Sequence, residues 1–304
     1  MARVLPKPVR LEEDKDEEKE EREEEKPSAG QAMVKRPLRS TMSGMARREN
    51  LDRFLTITYT DDEEYQYQKV LIAGMSKSGR THFALTWPDP LIVNSDKGLE
   101  AYKDVHVPMI TLKRSDKVPV SEVLMKLIET MRDREGDFRK WFPKTLIVDQ
   151  ATSICDLMEE EVKIYSPPSQ KGEERGESLF LADYKVIQQR FLRFMDALRD
   201  LPCHVVMITN TTFEKDPMLE GLYESPAVTG QKLSPQVPTY FGEVYYLKYS
   251  EKVGKYVAII RPNSRFPYAG TRHDNLRDGL KDGFMEDPSY EKFAQFYYAK
   301  KRKK

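Results

Sequence analysis

One stretch limits the fold of this chain more than any other: residues 68–87, QKVLIAGMSKSGRTHFALTW. Residues 70–73 are an apolar run of strand length, and residues 82–87 form an amphipathic segment on the far side of the loop GMSKSGRT. Strand, glycine loop and helix in that order are the layout of a phosphate-binding loop, G-x-x-x-x-G-K-[ST], with one departure: Arg80 stands where the pattern has lysine. Chemistry explains the spacing. Gly74 and Gly79 let the backbone turn tightly, so the loop Gly74, Met75, Ser76, Lys77, Ser78, Gly79, Arg80 and Thr81 can aim its N–H groups inward. The helix start adds its dipole, and the loop becomes a nest for β- and γ-phosphates. Thr81 would offer its hydroxyl to a Mg²⁺ ion bridging them. A plain glycine turn has the same outline, so the rest of the chain decides between the two.

The second motif is TLIVD, Thr145–Asp149, an apolar run ending in an acid. This is the Walker-B arrangement, in which a strand-tip carboxylate holds Mg²⁺ directly or through water. A strand-end aspartate can also simply cap the next helix. Its place after GMSKSGRT favours the metal reading.

Around these motifs, strands and helices alternate. A strand is expected near Phe54, buried strands at 91–94, 107–112 and 204–210, and a helix opened by Pro119 with Val120, Val123, Leu124, Leu127, Ile128 and Met131 at spacings of three and four. Tyr184, Ile187, Phe191, Phe194, Leu198 and Leu201 mark a second long helix, and such an aromatic stripe reads as core. GEVYYLKY and KYVAIIRP, joined by SEKVG, read as a hairpin, and a last helix spans 290–298. Residues 166–178 and 211–238 read as long surface loops. Apolar strands alternating with helices predict an α/β fold: a mainly parallel sheet with helices on both faces and a C-terminal antiparallel hairpin. Ligands in such sheets bind at the carboxyl ends of the strands, where the glycine loop lies.

Acids and bases balance at 50 each over 304 residues, but they are segregated. Residues 12–26 are a block of acids broken by a few basic residues, followed by Lys35, Arg36, Arg39, Arg47 and Arg48. Little apolar surface and dense like charge predict a disordered tail over residues 1–50, either solvated or serving as an arm for DNA or a partner. The chain ends in a basic run, KKRKK. Domain limits are expected at 1–50 for the tail, 51–289 for the nucleotide-binding domain and 290–304 for the final helix and basic tail. Cys155 and Cys203 lack a CxxC companion, which argues against zinc and a disulfide framework and suits a reducing cytoplasm. No apolar run reaches the roughly 18 to 20 residues that span a bilayer.

GMSKSGRTHFAL, PLIVNSDKGLEAY, TLIVDQATS, HVVMITN and VTGQKLSPQVPTYFGEVYYL, in that order, resemble a RecA-type P-loop ATPase core. They are most similar to compact phage RecA-like proteins of the ATP-binding or single-strand-annealing type, over residues 69–265. The resemblance implies ATP and Mg²⁺ as ligands and single-stranded DNA as a partner in recombination or replication. It further implies a homo-oligomer, and a single-strand-binding protein as a further partner, in the cytoplasm of an infected host cell if the protein is viral. It assigns Asp96 to polarising the attacking water, Asn210 to sensing the γ-phosphate, and Arg261 and Arg265 to reaching a neighbouring subunit's nucleotide. Residues 159–178 and 211–229 correspond to the DNA-facing loops. Three residues or regions depart from the pattern. Arg80 is larger and planar where lysine is compact. Asp96 is shorter than the family's glutamate, an offset of about an ångström that can cost ~100-fold in rate. The second loop carries Glu214, Asp216, Glu220 and Glu224 against Lys215, which disfavours phosphodiesters there. The main expectation is an ATP-binding protein acting on single-stranded DNA with weak or DNA-dependent hydrolysis. The alternative is a nucleotide-dependent scaffold that has lost hydrolysis.

Overall fold

A computed structural model describes residues 67–95, 105–112, 118–165, 179–215, 221–229 and 233–299, all within the compact unit Thr58–Lys304. The expected tail, the strand near Phe54, Asp96, Asp216, Glu220, residues 166–178 and the basic run 300–304 lie outside the described residues.

Eight strands form the spine of one sheet, and the short β10 pairs onto β8. In chain order these strands are β1 (Lys69–Gly74), β2 (Pro90–Asn94), β3 (Met109–Thr111), β4 (Thr145–Asp149), β5 (His204–Thr209), β8 (Glu243–Ser250), β9 (Lys255–Ile259), β10 (Gly270–Thr271) and β11 (Phe284–Glu286). Their spatial order along the spine is β11-β9-β8-β1-β5-β4-β2-β3. From β8 to β3 every pairing is parallel, and β9, β10 and β11 add antiparallel edges. The fold is therefore α/β, mainly parallel with a C-terminal antiparallel part, as the pattern of apolar runs predicts.

Both faces are covered because side chains alternate along each strand. Leu71, Val148 and Met207 point to one face, against Leu124 and Ile128 of α2 (Val120–Arg132), Ile154 and Met158 of α3 (Ala151–Tyr165), and Phe191 of α4 (Leu181–Arg199). Val70, Ile72 and Tyr245 point to the other, against Phe83 of α1 (Arg80–Leu85), Leu276 of α5 (Asp274–Gly279) and Phe293 of α6 (Tyr290–Tyr297). Pro119 starts α2 as its N-cap, a position where its missing N–H costs nothing. Buried Glu161 of α3 ties three helices together: it accepts from Ser121 N (2.8 Å) and Ser121 Oγ (2.6 Å) at the start of α2, and from Arg190 of α4. The final helix belongs to the same core, with Phe293 stacked on Tyr245 at 4.7 Å.

Two expectations are corrected. Residues 159–165 are not loop, because α3 continues to Tyr165; Ala151, Ile154, Cys155, Met158 and Val162 recur at helical spacing and all are buried. Residues 211–238 are not one long loop. They contain an antiparallel ribbon, β6 (Thr211–Lys215) with β7 (Leu222–Pro226), and the start of a 3₁₀ turn, Val237–Tyr240. Cross-strand partners explain the ribbon: Thr211 Oγ1 donates to Glu224 (3.0 Å) and Tyr223 Oη donates to Glu214 (2.8 Å).

Candidate functional site

The strand tips gather the motif residues. Ala73 pairs with Thr209, and Asn94 pairs with Asp149, so the carboxyl ends of β1, β5, β4 and β2 form one row with β5 between the loop strand and the aspartate strand. The glycine loop leaves β1 at Gly74 and turns back into α1. Ser78 N donates to Met75 O at 3.2 Å, and Lys77 and Gly79 take positive φ values of 64° and 86°. Gly79 is therefore the residue just before α1 whose left-handed backbone suits glycine. Thr81, in the first turn of α1, donates its hydroxyl to Asp149 Oδ2 at 2.9 Å. The loop threonine and the strand-tip aspartate, read separately from the sequence, thus touch.

Arg80 is buried, and its side chain does not follow Thr81. Its guanidinium crosses to the tip of β5, donating to Thr209 O and to Asn210 Oδ1, the latter at 2.7 Å. Asn210 in turn donates its N–H to Thr152 Oγ1 (3.2 Å) and accepts from Ala227 N (2.7 Å). The structure therefore brings Gly74, Ser78, Gly79, Arg80, Thr81, Asp149 and Asn210 into one neighbourhood, with exposed Met75, Ser76 and Lys77 on its rim. Arg261 and Arg265 make their contacts elsewhere. Arg261 donates to the carbonyls of Arg277 and Lys281, and Gly283 lies against its stem. Arg265 pairs with buried Glu224 at 2.8 Å and holds the ribbon.

Three residues that sequence reasoning passed over support the site. Ser95 accepts from Gln150 N (2.9 Å), donates to Gln150 O (2.9 Å) and gives its own N–H to Asp149 O (2.8 Å), which fixes the main chain around the aspartate. Thr152 donates to Ala227 O at 2.7 Å. Tyr256 lays its ring over the loop, 3.1 Å from where a Cβ on Gly79 would be. Only the position of Ser95 and Thr152 beside the motif residues hinted at them.

The chemistry of the loop fits a nucleotide phosphate. Ser78 Oγ is buried with no hydrogen-bond partner, an orphan hydroxyl inside the loop itself. The N–H groups of a first helical turn have no intrahelical acceptor and turn to an anion when one is supplied. The oxygen pair of Thr81 and Asp149 suits a hard cation. That is the expected protein share for Mg²⁺, which takes one or two protein oxygens and completes its shell with water and phosphate. Bound there, Mg²⁺ would neutralise phosphate charge; Thr81 and Asp149 would hold it.

A cavity of about 730 Å³ lies at the opposite ends of the strands, lined by Lys69, Asp196, Arg199, Asp200, Glu243 and His273 among others. Burial pushes the Lys69 ammonium down to about 8, and its Nζ donates to Leu201 O (2.7 Å) and Cys203 O (2.8 Å). That end of the sheet holds no glycine loop. Donor chemistry, not concavity, makes the glycine loop the candidate phosphate site.

A family model described as an AAA domain matches residues 66–273, more than half of the chain. The chain belongs to the AAA domain family. Its AAA domain spans every element from β1 to β10, including the glycine loop and the aspartate strand. Among solved structures, the crystal structure of the RadB recombinase is similar at 16% identity and a TM-score of 0.35, covering 65% of this chain and 82% of that one. No curated protein matches. No helix among the described residues is long and apolar enough to cross a membrane.

Proposed function

We propose that this AAA domain binds ATP with Mg²⁺ on GMSKSGRT and Asp149 and works on single-stranded DNA in recombination or replication, with slow or DNA-dependent hydrolysis. The contact between Thr81 and Asp149 carries the nucleotide reading, because it puts both metal-binding oxygens beside a loop with an unpartnered buried hydroxyl. The phage setting rests on the sequence resemblance alone. Hydrolysis is slow in this reading because Arg80 holds neutral acceptors on β5 with its planar fork, where a compact ammonium would be a mobile point charge. The same observation favours a second reading, a nucleotide-dependent scaffold that holds ATP without turning it over.

The DNA reading is supported by the ribbon. Phe213 is 47% exposed on β6, and the Arg265 guanidinium lies over it at 5.8 Å, an aromatic and cationic pair of the kind that stacks on bases. Two of the acids that count against phosphodiesters in the sequence are engaged: Glu224 is buried against Arg265, and Glu214 accepts from Tyr223. Single-turnover hydrolysis with and without an unstructured oligonucleotide separates the readings. Stimulation by single strands supports the first, and undetectable turnover with tight nucleotide binding supports the scaffold. Anisotropy of the labelled oligonucleotide should show salt-sensitive binding that weakens in Phe213→Ala by about 1–3 kcal/mol, one base stack. Equal binding by both proteins would remove the ribbon from the interface.

A further inference from the structure

The main chain of Arg80 belongs to the phosphate loop, while its guanidinium belongs to the root of the ribbon. Residues 210 and 227, the two feet of β6 and β7, are pinned together: Ala227 N donates to Asn210 O at 2.7 Å, and Thr152 Oγ1 takes Asn210 N (3.2 Å) and donates to Ala227 O (2.7 Å). Arg80 is the fourth member of this knot, through Thr209 O and Asn210 Oδ1. Both of those acceptors are neutral. A phosphate oxygen on the loop competes for the same N–H groups with a full charge, and charge-assisted hydrogen bonds are roughly twice as strong as neutral ones.

We infer that Arg80 is a nucleotide-operated latch on the ribbon. An anionic phosphate at the loop draws the guanidinium from Thr209 and Asn210, and the feet of the ribbon lose their tie to the loop, keeping only the bonds through Thr152 and Ala227, which loosens them. Coupling of this kind is reciprocal, so a ligand that needs the loosened ribbon tightens nucleotide binding by the same factor. Lysine is the weaker latch, because its ammonium is a flexible point charge without the rigid planar fork that presents two N–H groups to a carbonyl and an amide oxygen in fixed geometry. The inference rests on the reading of the loop as a nucleotide site and adds how that site is regulated.

Hydrogen exchange on the full chain, read in peptides covering residues 208–215 and 222–229, tests it against parallel calorimetry with Mg²⁺ alone, ADP and ATP. In the wild type, ATP with Mg²⁺ should raise exchange at the feet of the ribbon by about fivefold or more, the low end of ordinary allosteric coupling. Arg80→Lys should exchange fast before nucleotide is added and respond little to it. Asn210→Ala cuts the latch at its other end and should behave likewise, which guards against an Arg80 variant that fails to fold. Wild type that binds ATP in the calorimeter with an unmoved ribbon overturns the latch and leaves the nucleotide site intact. So do variants whose ribbons stay protected and respond as the wild type does. Absence of calorimetric binding brings down the nucleotide reading, and the latch with it.

Discussion

Replacing Gly74 with alanine probes how tightly the loop is built into the sheet. A Cβ at this position would lie 2.5 Å from Leu247 O and 2.7 Å from Ser78 Oγ, both well inside the 3.4 Å at which ordinary contact begins. Leu247 is the register partner of Gly74 on β8, so its carbonyl is held in the sheet and cannot swing aside. Ser78 Oγ can move, but only out of the buried position it holds inside the loop. Overpacking of this kind costs about 1–3 kcal/mol. In a domain of this size each kcal/mol moves the melting temperature by about 2–4 °C, so Gly74→Ala should melt roughly 2–12 °C below wild type. On the proposed reading of the loop as a nucleotide site, displacing the serine also costs one phosphate contact, worth about tenfold in nucleotide affinity. Gly270→Ala is the control: nothing lies within 4 Å of its Cβ position, and it should stay within about 0.5 kcal/mol of wild type. Scanning fluorimetry and calorimetry on the three proteins give both numbers. A Gly74→Ala protein that melts with the wild type and binds nucleotide equally would refute the close approach of loop and β8.

Burial pushes the His204 imidazole down to about 4 from 6.5, so below pH 6.5 the unfolded chain takes up a proton that the folded chain refuses. Stability from this group is present above pH 6.5 and lost as pH falls toward 4, by about 3 kcal/mol at most. Urea titrations across that window should show a shallower loss in His204→Asn, and an identical slope would assign the acid sensitivity to other groups. Arg80→Lys should raise single-turnover hydrolysis by more than about tenfold, a barrier change of roughly 1.4 kcal/mol, and an unchanged rate would show that arginine serves this chemistry as well as lysine. Arg265→Ala leaves Glu224 buried without its guanidinium, so limited proteolysis should cut the ribbon sooner than in wild type, and equal lifetimes would show that the pair does not hold it.

The parallel core was legible because its strands are continuous apolar runs, and HVVMIT and TLIVD leave little room for another reading once a glycine loop precedes them. The pairing of Thr81 with Asp149 was legible for the same reason: two short motifs, each tied to a strand tip, must meet when the tips align. The ribbon was not legible. Its strands are short and rich in Glu and Thr, and one of its ties is the pair of Glu224 and Arg265, which lie far apart in sequence. The length of α3 was readable from Ile154, Cys155, Met158 and Val162, but the family resemblance drew attention to a loop there instead. The direction of Arg80 could not have been read at all. A side chain at that position can turn to the loop or to β5, and only the placement of the β5 tip beside the loop strand decides it.

Calorimetric titration of the wild type with ATP in Mg²⁺, beside Thr81→Ala and Asp149→Ala, tests the nucleotide site most directly. Removing either oxygen should leave the fold intact, weaken Mg²⁺-dependent binding by about tenfold or more, and leave the weaker metal-free binding nearly unchanged. Saturation by wild type at micromolar to millimolar ATP, with both variants impaired only when Mg²⁺ is present, is the predicted result. No heat of binding from wild-type protein at millimolar ATP or ADP, or variants that bind with full Mg²⁺ dependence, would contradict it.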